Sequence, residues 1–237
     1  MTLIIAWMVG ALIGYVFGAF PTGFFIGKLW NIDVRKHGSG RTGGTNVLRT
    51  VGWGAFTITV IGDALKGILP VLLSQYIYPT IHSAHVATVL GVLVGNNWSL
   101  WITLLTKPDP EAKYAMPPLG WFQRIVRQGR GGAGVTTTSG AVLALYPPVP
   151  LIILPFGIGA LLITRYASGG SLTAATMFPF VMGAFVLTGN APWSYLILSI
   201  IVGIMLYIIH IPNIKRLRDG NERRFGQRLG QRQSRAE

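Results

Sequence analysis

The residues best suited to chemistry gather in a few short polar stretches between long apolar runs. The first is 38–50, Gly-Ser-Gly-Arg-Thr-Gly-Gly-Thr-Asn-Val-Leu-Arg-Thr, and the second is 127–140, RQGRGGAGVTTTSG. Glycines let successive backbone N–H groups turn inward as an anion-binding nest, hydroxyls add donors, and arginine supplies a fork matched to phosphate oxygens. That combination points to phosphate. The second stretch also leads straight into an apolar run, so its N–H groups would open a helix, where an anion is favoured. Close helix packing or a re-entrant turn explains the glycines of any single loop equally well. Neither loop has the P-loop spacing, because no Lys-Ser/Thr pair follows the glycines. Two further polar segments are 164–171, TRYASGGS, and 210–226, HIPNIKRLRDGNERRFG. In the last, His210 and Asn213 lie three apart and share a helix face, as an interfacial pair or as donors to an oxyanion or phosphate.

Such loops need elements to hold them, and composition says which. The 237-residue chain is 51% hydrophobic and only 11% charged, the balance of a membrane protein. A hydrocarbon core about 30 Å thick calls for roughly 20 apolar residues per helix. Apolar runs cover 2–26, 52–73, 84–105, 136–146, 149–163, 171–187 and 193–209. The Pro147-Pro148 turn makes the fourth and fifth either a helical hairpin or one broken re-entrant pair. The expected fold is therefore an all-α integral membrane protein of about seven transmembrane helices, or five to six. The first run is too long, and lacks the basic lead-in, for a cleavable signal peptide. Within the second, Asp63 and Lys66 share a face. Charges at that depth are costly, so they form a neutralising pair or touch substrate.

Charge distribution sets the orientation. Threading seven spans from an outside N-terminus puts nineteen of the twenty Lys and Arg residues on one side, the exception being Lys66. The positive-inside bias then gives a cytoplasmic C-terminus. All four polar segments fall on that same face. The net charge of +13 is accounted for by topology, with a contribution from anionic headgroups near the tail. Nucleic acid is not expected as a partner, because the basic residues carry no interleaved aromatic platform. The chain has no cysteine, and of its four histidines only His82 and His85 approach metal-ligand spacing, so neither metal nor cofactor is expected.

In order along the chain, these segments resemble the PlsY family of bacterial acyl-phosphate:glycerol-3-phosphate acyltransferases. The family's first motif, approximately S-G-N-x-G-A-T-N-x-x-R, is met from Ser39-Gly40-Arg41 through Thr45-Asn46 to Arg49. Its second, roughly G-G-K-G-V-A-T, is met by Gly131-Gly132-Ala133-Gly134-Val135-Thr136-Thr137. Its third, roughly H-R-E-N-I-x-R-L-x-x-G-x-E, is met by His210, Asn213-Ile214-Lys215-Arg216-Leu217, Gly220 and Glu222. Asp63-Ala64-Leu65-Lys66-Gly67 and Thr164-Arg165-Tyr166-Ala167-Ser168 also fit. The resemblance implies transfer of a fatty acyl group from acyl phosphate to the 1-hydroxyl of glycerol 3-phosphate, forming lysophosphatidic acid at the cytoplasmic side of a bacterial inner membrane. The working unit expected is a monomer among membrane lipids. It implies a transmembrane region over 1–212 with cytoplasmic loops at 27–51 and 106–134, and a basic tail over 213–237. Ser39, Arg49, His210 and Asn213 are the expected catalytic residues. Gly40, Arg41, Thr45, Asn46, Arg130, Gly132, Gly134 and Ser171 are expected to bind substrate.

The chain departs from the pattern at instructive places. Ala133 stands where the family has lysine, Ile211-Pro212 where it has Arg-Glu, Arg41 where it has asparagine, and Asn96 where it usually has histidine. The segment 106–128 reads as an insertion. Arg41 or Arg130 are the candidates for the missing cation. No nucleophile motif is evident, so direct transfer from an already activated acyl phosphate is expected, driven by positioning and electrostatics. The substrate phosphate or His210 accepts the proton. Two other readings stay open: a relative that binds a phosphorylated lipid without turnover, and a small-solute transporter. The transporter reading would call for inverted repeats, which the sequence lacks.

Overall fold

The computed structural model describes residues 2–227. They form eleven α-helices: α1 (Thr2–Gly18), α2 (Thr22–Leu29), α3 (Gly44–Thr50), α4 (Trp53–Ile77), α5 (His82–Asn97), α6 (Leu100–Leu105), α7 (Leu119–Gln128), α8 (Val135–Leu145), α9 (Pro148–Thr164), α10 (Ala167–Leu187) and α11 (Trp193–Arg218). A 3-10 turn, Val34–Lys36, precedes α3. The part of the basic tail from 228 on lies outside the described residues.

All seven apolar runs are helical. Four segments, Thr2–Leu29, Trp53–Ile77, Ala167–Leu187 and Trp193–Arg218, are long and apolar enough to cross a membrane. The others, α5, α8 and α9, have 16, 11 and 17 residues and fall short of a full crossing by length alone.

Two expected helices are interrupted. The run 2–26 breaks after Gly18 and resumes at Thr22, because Pro21 cannot donate into the α1 ladder. The carbonyls freed there are taken by side chains. Lys66 Nζ donates to Phe20 O at 3.0 Å, and the Ser99 hydroxyl donates to Ala19 O. The run 84–105 breaks at Trp98-Ser99, where Ser99 caps α6 by accepting from the Ile102 N–H at 3.1 Å. The last helix, by contrast, runs on through Pro212 to Arg218, so position 213 lies inside α11.

Helices pair through small residues, as membrane interiors require. Gly10, Gly14 and Gly18 repeat every four residues on one face of α1, and Gly91 and Gly95 do so on α5. A Cβ on Gly14 would collide with the Thr88 carbonyl, and one on Gly95 with the Tyr15 carbonyl. In both pairs the residue numbers rise together, so α1 and α5 run parallel. Small residues also bring α4 and α8 together, where Gly67 abuts Thr137 and Gly140 abuts Ala64. The core lies among α5, α8, α10 and α11, around Leu93, Ala141, Met182, Leu198 and Val202. Leucines, isoleucines and phenylalanines of α9, among them Ile152, Phe156 and Leu162, are exposed, as on a lipid-facing surface.

Candidate active site

Asn46 organises the first polar loop. It is 2% exposed; its amide nitrogen donates to the carbonyls of Val34 (2.8 Å), His37 (3.1 Å) and Arg41 (2.8 Å), and its Oδ1 accepts from the Ser39 N–H at 2.9 Å. The side chain is thus committed to folding the loop, and its contribution to a ligand is indirect. This curl presents Ser39, Thr45 and Arg49 to a cavity of about 720 Å³.

The second motif closes against the first. Thr42 N–H donates to Gly131 O at 3.4 Å, and Arg41 Nη1 donates to Gly132 O at 3.1 Å and to Asn97 Oδ1 at 3.2 Å. Gly134, at φ +90°, turns the chain into α8; a side chain there would be strained and would strike Leu93. Gly132, Ala133 and Gly134 therefore border the same cavity. Thr138, one turn into α8, is 4% exposed, lines the cavity and has no partner for its hydroxyl among the described residues.

The third wall comes from α11. His210 is 4% exposed, and its Nδ1 lies 2.8 Å from Leu206 O. A carbonyl can only accept, so in the neutral ring Nδ1 carries the proton and Nε2 keeps a lone pair. Asn213 and Arg216 are held by Glu222: Asn213 Nδ2 donates to Oε1 at 2.9 Å and Arg216 Nε to Oε2 at 2.6 Å. Ser168 of α10 donates to the same carboxylate at 3.2 Å. Past Glu222 the chain straps back over the site. Arg49 Nη2 donates to Arg223 O at 3.4 Å, Phe225 N–H donates to Arg165 O at 2.8 Å, and the Phe225 ring meets Trp53 and Phe56 edge-on.

The cavity is electropositive at this end. Arg49 is 8% exposed with Nε unpartnered among the described residues; burial, then the charge of Arg223, lowers its pKa. Burial, then the charge of Arg130, pushes Arg41 down to about 10, still protonated at neutral pH. Both arginines would gain from an anion that restores the lost solvation. Asp63 also lines the cavity, 2.8 Å from Lys66 Nζ at ion-pair distance but without directed hydrogen-bond geometry. The opposite wall is apolar, built by Leu143 of α8, Ile153, Leu154 and Ile158 of α9, and Phe178 of α10.

Of the residues expected to act, Ser39, Arg41, Thr45, Asn46, Arg49, Arg130, Gly132, Gly134, Ser171, His210 and Asn213 border this one cavity. Gly40 does not; at φ +71° it turns away and lines a neighbouring pocket. Ser171 directs its hydroxyl to Ala167 O at 2.9 Å within its own helix. Sequence reasoning misses Asn97, Thr138 and the clamp role of Glu222. The signals for Glu222 are its match to the third motif and its acidic character in a segment otherwise basic but for Asp219.

A helical membrane protein with a cationic end and an apolar wall in one cavity is the class that fold and site define. The family model of glycerol-3-phosphate acyltransferase matches residues 8–106 and 114–220, and the chain belongs to that family. The match leaves out 107–113, a narrower interruption than the 106–128 read as an insertion. The chain is 34% identical to a glycerol-3-phosphate acyltransferase of Thermus thermophilus over 221 residues, covering 92% of this chain and 94% of that one. It is 32% identical to glycerol-3-phosphate acyltransferase 2 of Moorella thermoacetica over 223 residues, covering 94% and 99%. Among solved structures it is similar to PlsY, an integral membrane glycerol 3-phosphate acyltransferase. The glycerol 3-phosphate form gives a TM-score of 0.72 and the lysophosphatidic acid form 0.71, each at 26% identity over 92% of this chain and 95% of that one.

Proposed function

We propose that this chain transfers a fatty acyl group from acyl phosphate to the 1-hydroxyl of glycerol 3-phosphate, releasing lysophosphatidic acid and orthophosphate. The observation that carries the reading is the single cavity, in which Arg49 and His210 stand at one end and the apolar α8–α9–α10 wall at the other. One substrate has a phosphate and no tail, the other a phosphate and a tail, and such a cavity suits both. The names of the similar structures, a glycerol 3-phosphate form and a lysophosphatidic acid form, support the same pairing.

In this reading Arg49 and Arg41 hold phosphate oxygens, with the N–H groups of 132–134 completing the cradle. The 1-hydroxyl oxygen attacks the acyl carbonyl carbon, the bond from that carbon to the phosphate oxygen breaks, and orthophosphate leaves with its electrons. His210 Nε2 takes the hydroxyl proton, its ring fixed by the Leu206 carbonyl. Asn213, aimed by Glu222, and Ser39 orient the reacting groups. Acyl phosphate is already activated, so fixing the reactants relative to one another supplies much of the acceleration.

The distribution of basic residues supports seven spans with an outer N-terminus, a site facing the cytoplasm of a bacterium across its inner membrane, and loops 27–51 and 106–134 with the tail from 213 on that side. A monomer is the working unit in this reading. The deciding experiment assays the purified protein with acyl phosphate and labelled glycerol 3-phosphate beside acyl-CoA as donor. Labelled lysophosphatidic acid is expected with acyl phosphate alone. Its absence with both donors would leave the reading of a binding protein without turnover.

A further inference from the structure

A second, smaller pocket of about 380 Å³ lies beside the active cavity, and four cations, Arg35, Lys107, Arg127 and Arg130, border it with Gly40 and Thr106. Arg130 borders both spaces. The catalytic reading uses neither Lys107 nor Arg127, and Lys107 falls in the segment that the family match omits.

The pocket is held in shape from both sides. Asp33 grips Arg35 through two hydrogen bonds, Nε to Oδ1 at 3.0 Å and Nη2 to Oδ2 at 2.7 Å, and the guanidinium sits 4.8 Å from the Phe24 ring centre. On the other side Arg124 fastens α7 to the end of α6, donating to Thr103 O at 2.7 Å and to Thr106 O. The backbone of Arg130 is bridged to Trp98. No acid lines the pocket, and the carboxylate of Asp33 is already committed to Arg35. Among the described residues no ion pair neutralises Lys107, Arg127 or Arg130. Like charges so gathered repel one another, and the field reaches the neighbouring site, where the charge of Arg130 adds to burial in lowering the Arg41 pKa. A multiply charged anion with several acceptor oxygens relieves that repulsion and matches the guanidinium forks.

We propose that this pocket is a second phosphate-binding site, joined to the active cavity through Arg130. Its ligand is a phosphate-bearing anion, either free in the cytoplasm or as the headgroup of an anionic lipid.

The test counts orthophosphate bound to the full-length protein in phosphatidylcholine nanodiscs. Wild type is expected to bind one more than the double variant Lys107→Ala/Arg127→Ala, altered at two exposed side chains that no helix packing needs, with affinity at that site falling at least about tenfold. Lys107→Arg/Arg127→Lys keeps it. Arg49→Ala loses orthophosphate from the active cavity and keeps the one that the double variant loses, so failure of the catalytic reading would show separately, as no loss in Arg49→Ala. Repeating the titration in phosphatidylglycerol nanodiscs separates the sources: a lipid headgroup displaces the orthophosphate of the second pocket, whereas a free anion persists. The proposal is overturned if the double variant binds as many as wild type, or if Arg49→Ala removes the same orthophosphate that the double variant does.

Discussion

Arg41 Nη1 donates to the carbonyl of Gly132 at 3.1 Å across 91 residues of chain, which sets a guanidinium beside Ala133. There the family pattern has a lysine, and we propose that Arg41 supplies the cation in its place. Arg41→Ala should therefore lower kcat/KM at least tenfold or so, as loss of a charged contact does. Ala133→Lys should leave wild type nearly unchanged and restore part of the activity of Arg41→Ala. A chain that binds without turnover gives the reverse: an inactive wild type, unaffected by Arg41→Ala and activated by Ala133→Lys.

Arg49 is buried with an Nε unpartnered among the described residues, and a bound phosphate answers that deficit. Glycerol 3-phosphate at about 100 times its Kd should stabilise the protein by roughly 2.7 kcal/mol, read as a rise in Tm. Arg49→Ala should abolish the rise and, like His210→Ala, cut turnover by at least about tenfold. An undiminished thermal shift in Arg49→Ala would remove it from the site.

Glu222 receives Asn213, Arg216 and Ser168 on one carboxylate whose side chain is 4% exposed. Glu222→Ala should destabilise the protein by about 1–3 kcal/mol. That is less than for breaking a fully buried pair, because Arg216 is 33% exposed. It should also lower kcat by releasing Asn213. Unfolding midpoints and kinetics on the same preparation test both parts, and unchanged values in both would show the clamp to be idle.

Helix contact through glycine makes its own forecast. A methyl at Gly67 meets the Thr137 carbonyl, so Gly67→Ala should cost about 1–3 kcal/mol. Gly54, in the first turn of α4, has nothing within 4 Å of where a Cβ would stand. Gly54→Ala should be neutral or stabilise by up to about 1 kcal/mol. Equal effects at the two positions would argue against close α4–α8 packing.

Orientation is open to direct labelling, because the chain has no cysteine. Thr80 and Asn221 are both exposed. A single cysteine at position 80 should react with an impermeant maleimide on intact cells, and one at 221 only after lysis. The opposite pattern would place the site on the outer face.

The sequence by itself determined the helical membrane class, the family and the three motifs, because hydrophobic runs and glycine-hydroxyl-arginine spacing are local properties that need no partner to be read. It also brought out Asp63 and Lys66, since a three-residue separation in a helix is itself a geometry. What it left open were relations between distant segments. Asn46 reads as a ligand-binding amide, yet its hydrogen bonds go to the carbonyls of 34, 37 and 41, which only the curl of the loop brings together. The break after Gly18 depends on Lys66 and Ser99, which take up the freed carbonyls from elsewhere in the chain, and at the break near Trp98 the Tyr15 hydroxyl donates to the Trp98 carbonyl at 3.0 Å. Glu222 looks like one acid in a basic tail until the chain doubles back and seats it between α10 and α11. That Arg41 lies against Gly132, beside the position where the family pattern has its lysine, was decided by tertiary structure alone, because what a guanidinium reaches depends on where its backbone is held, not on where it falls in the sequence.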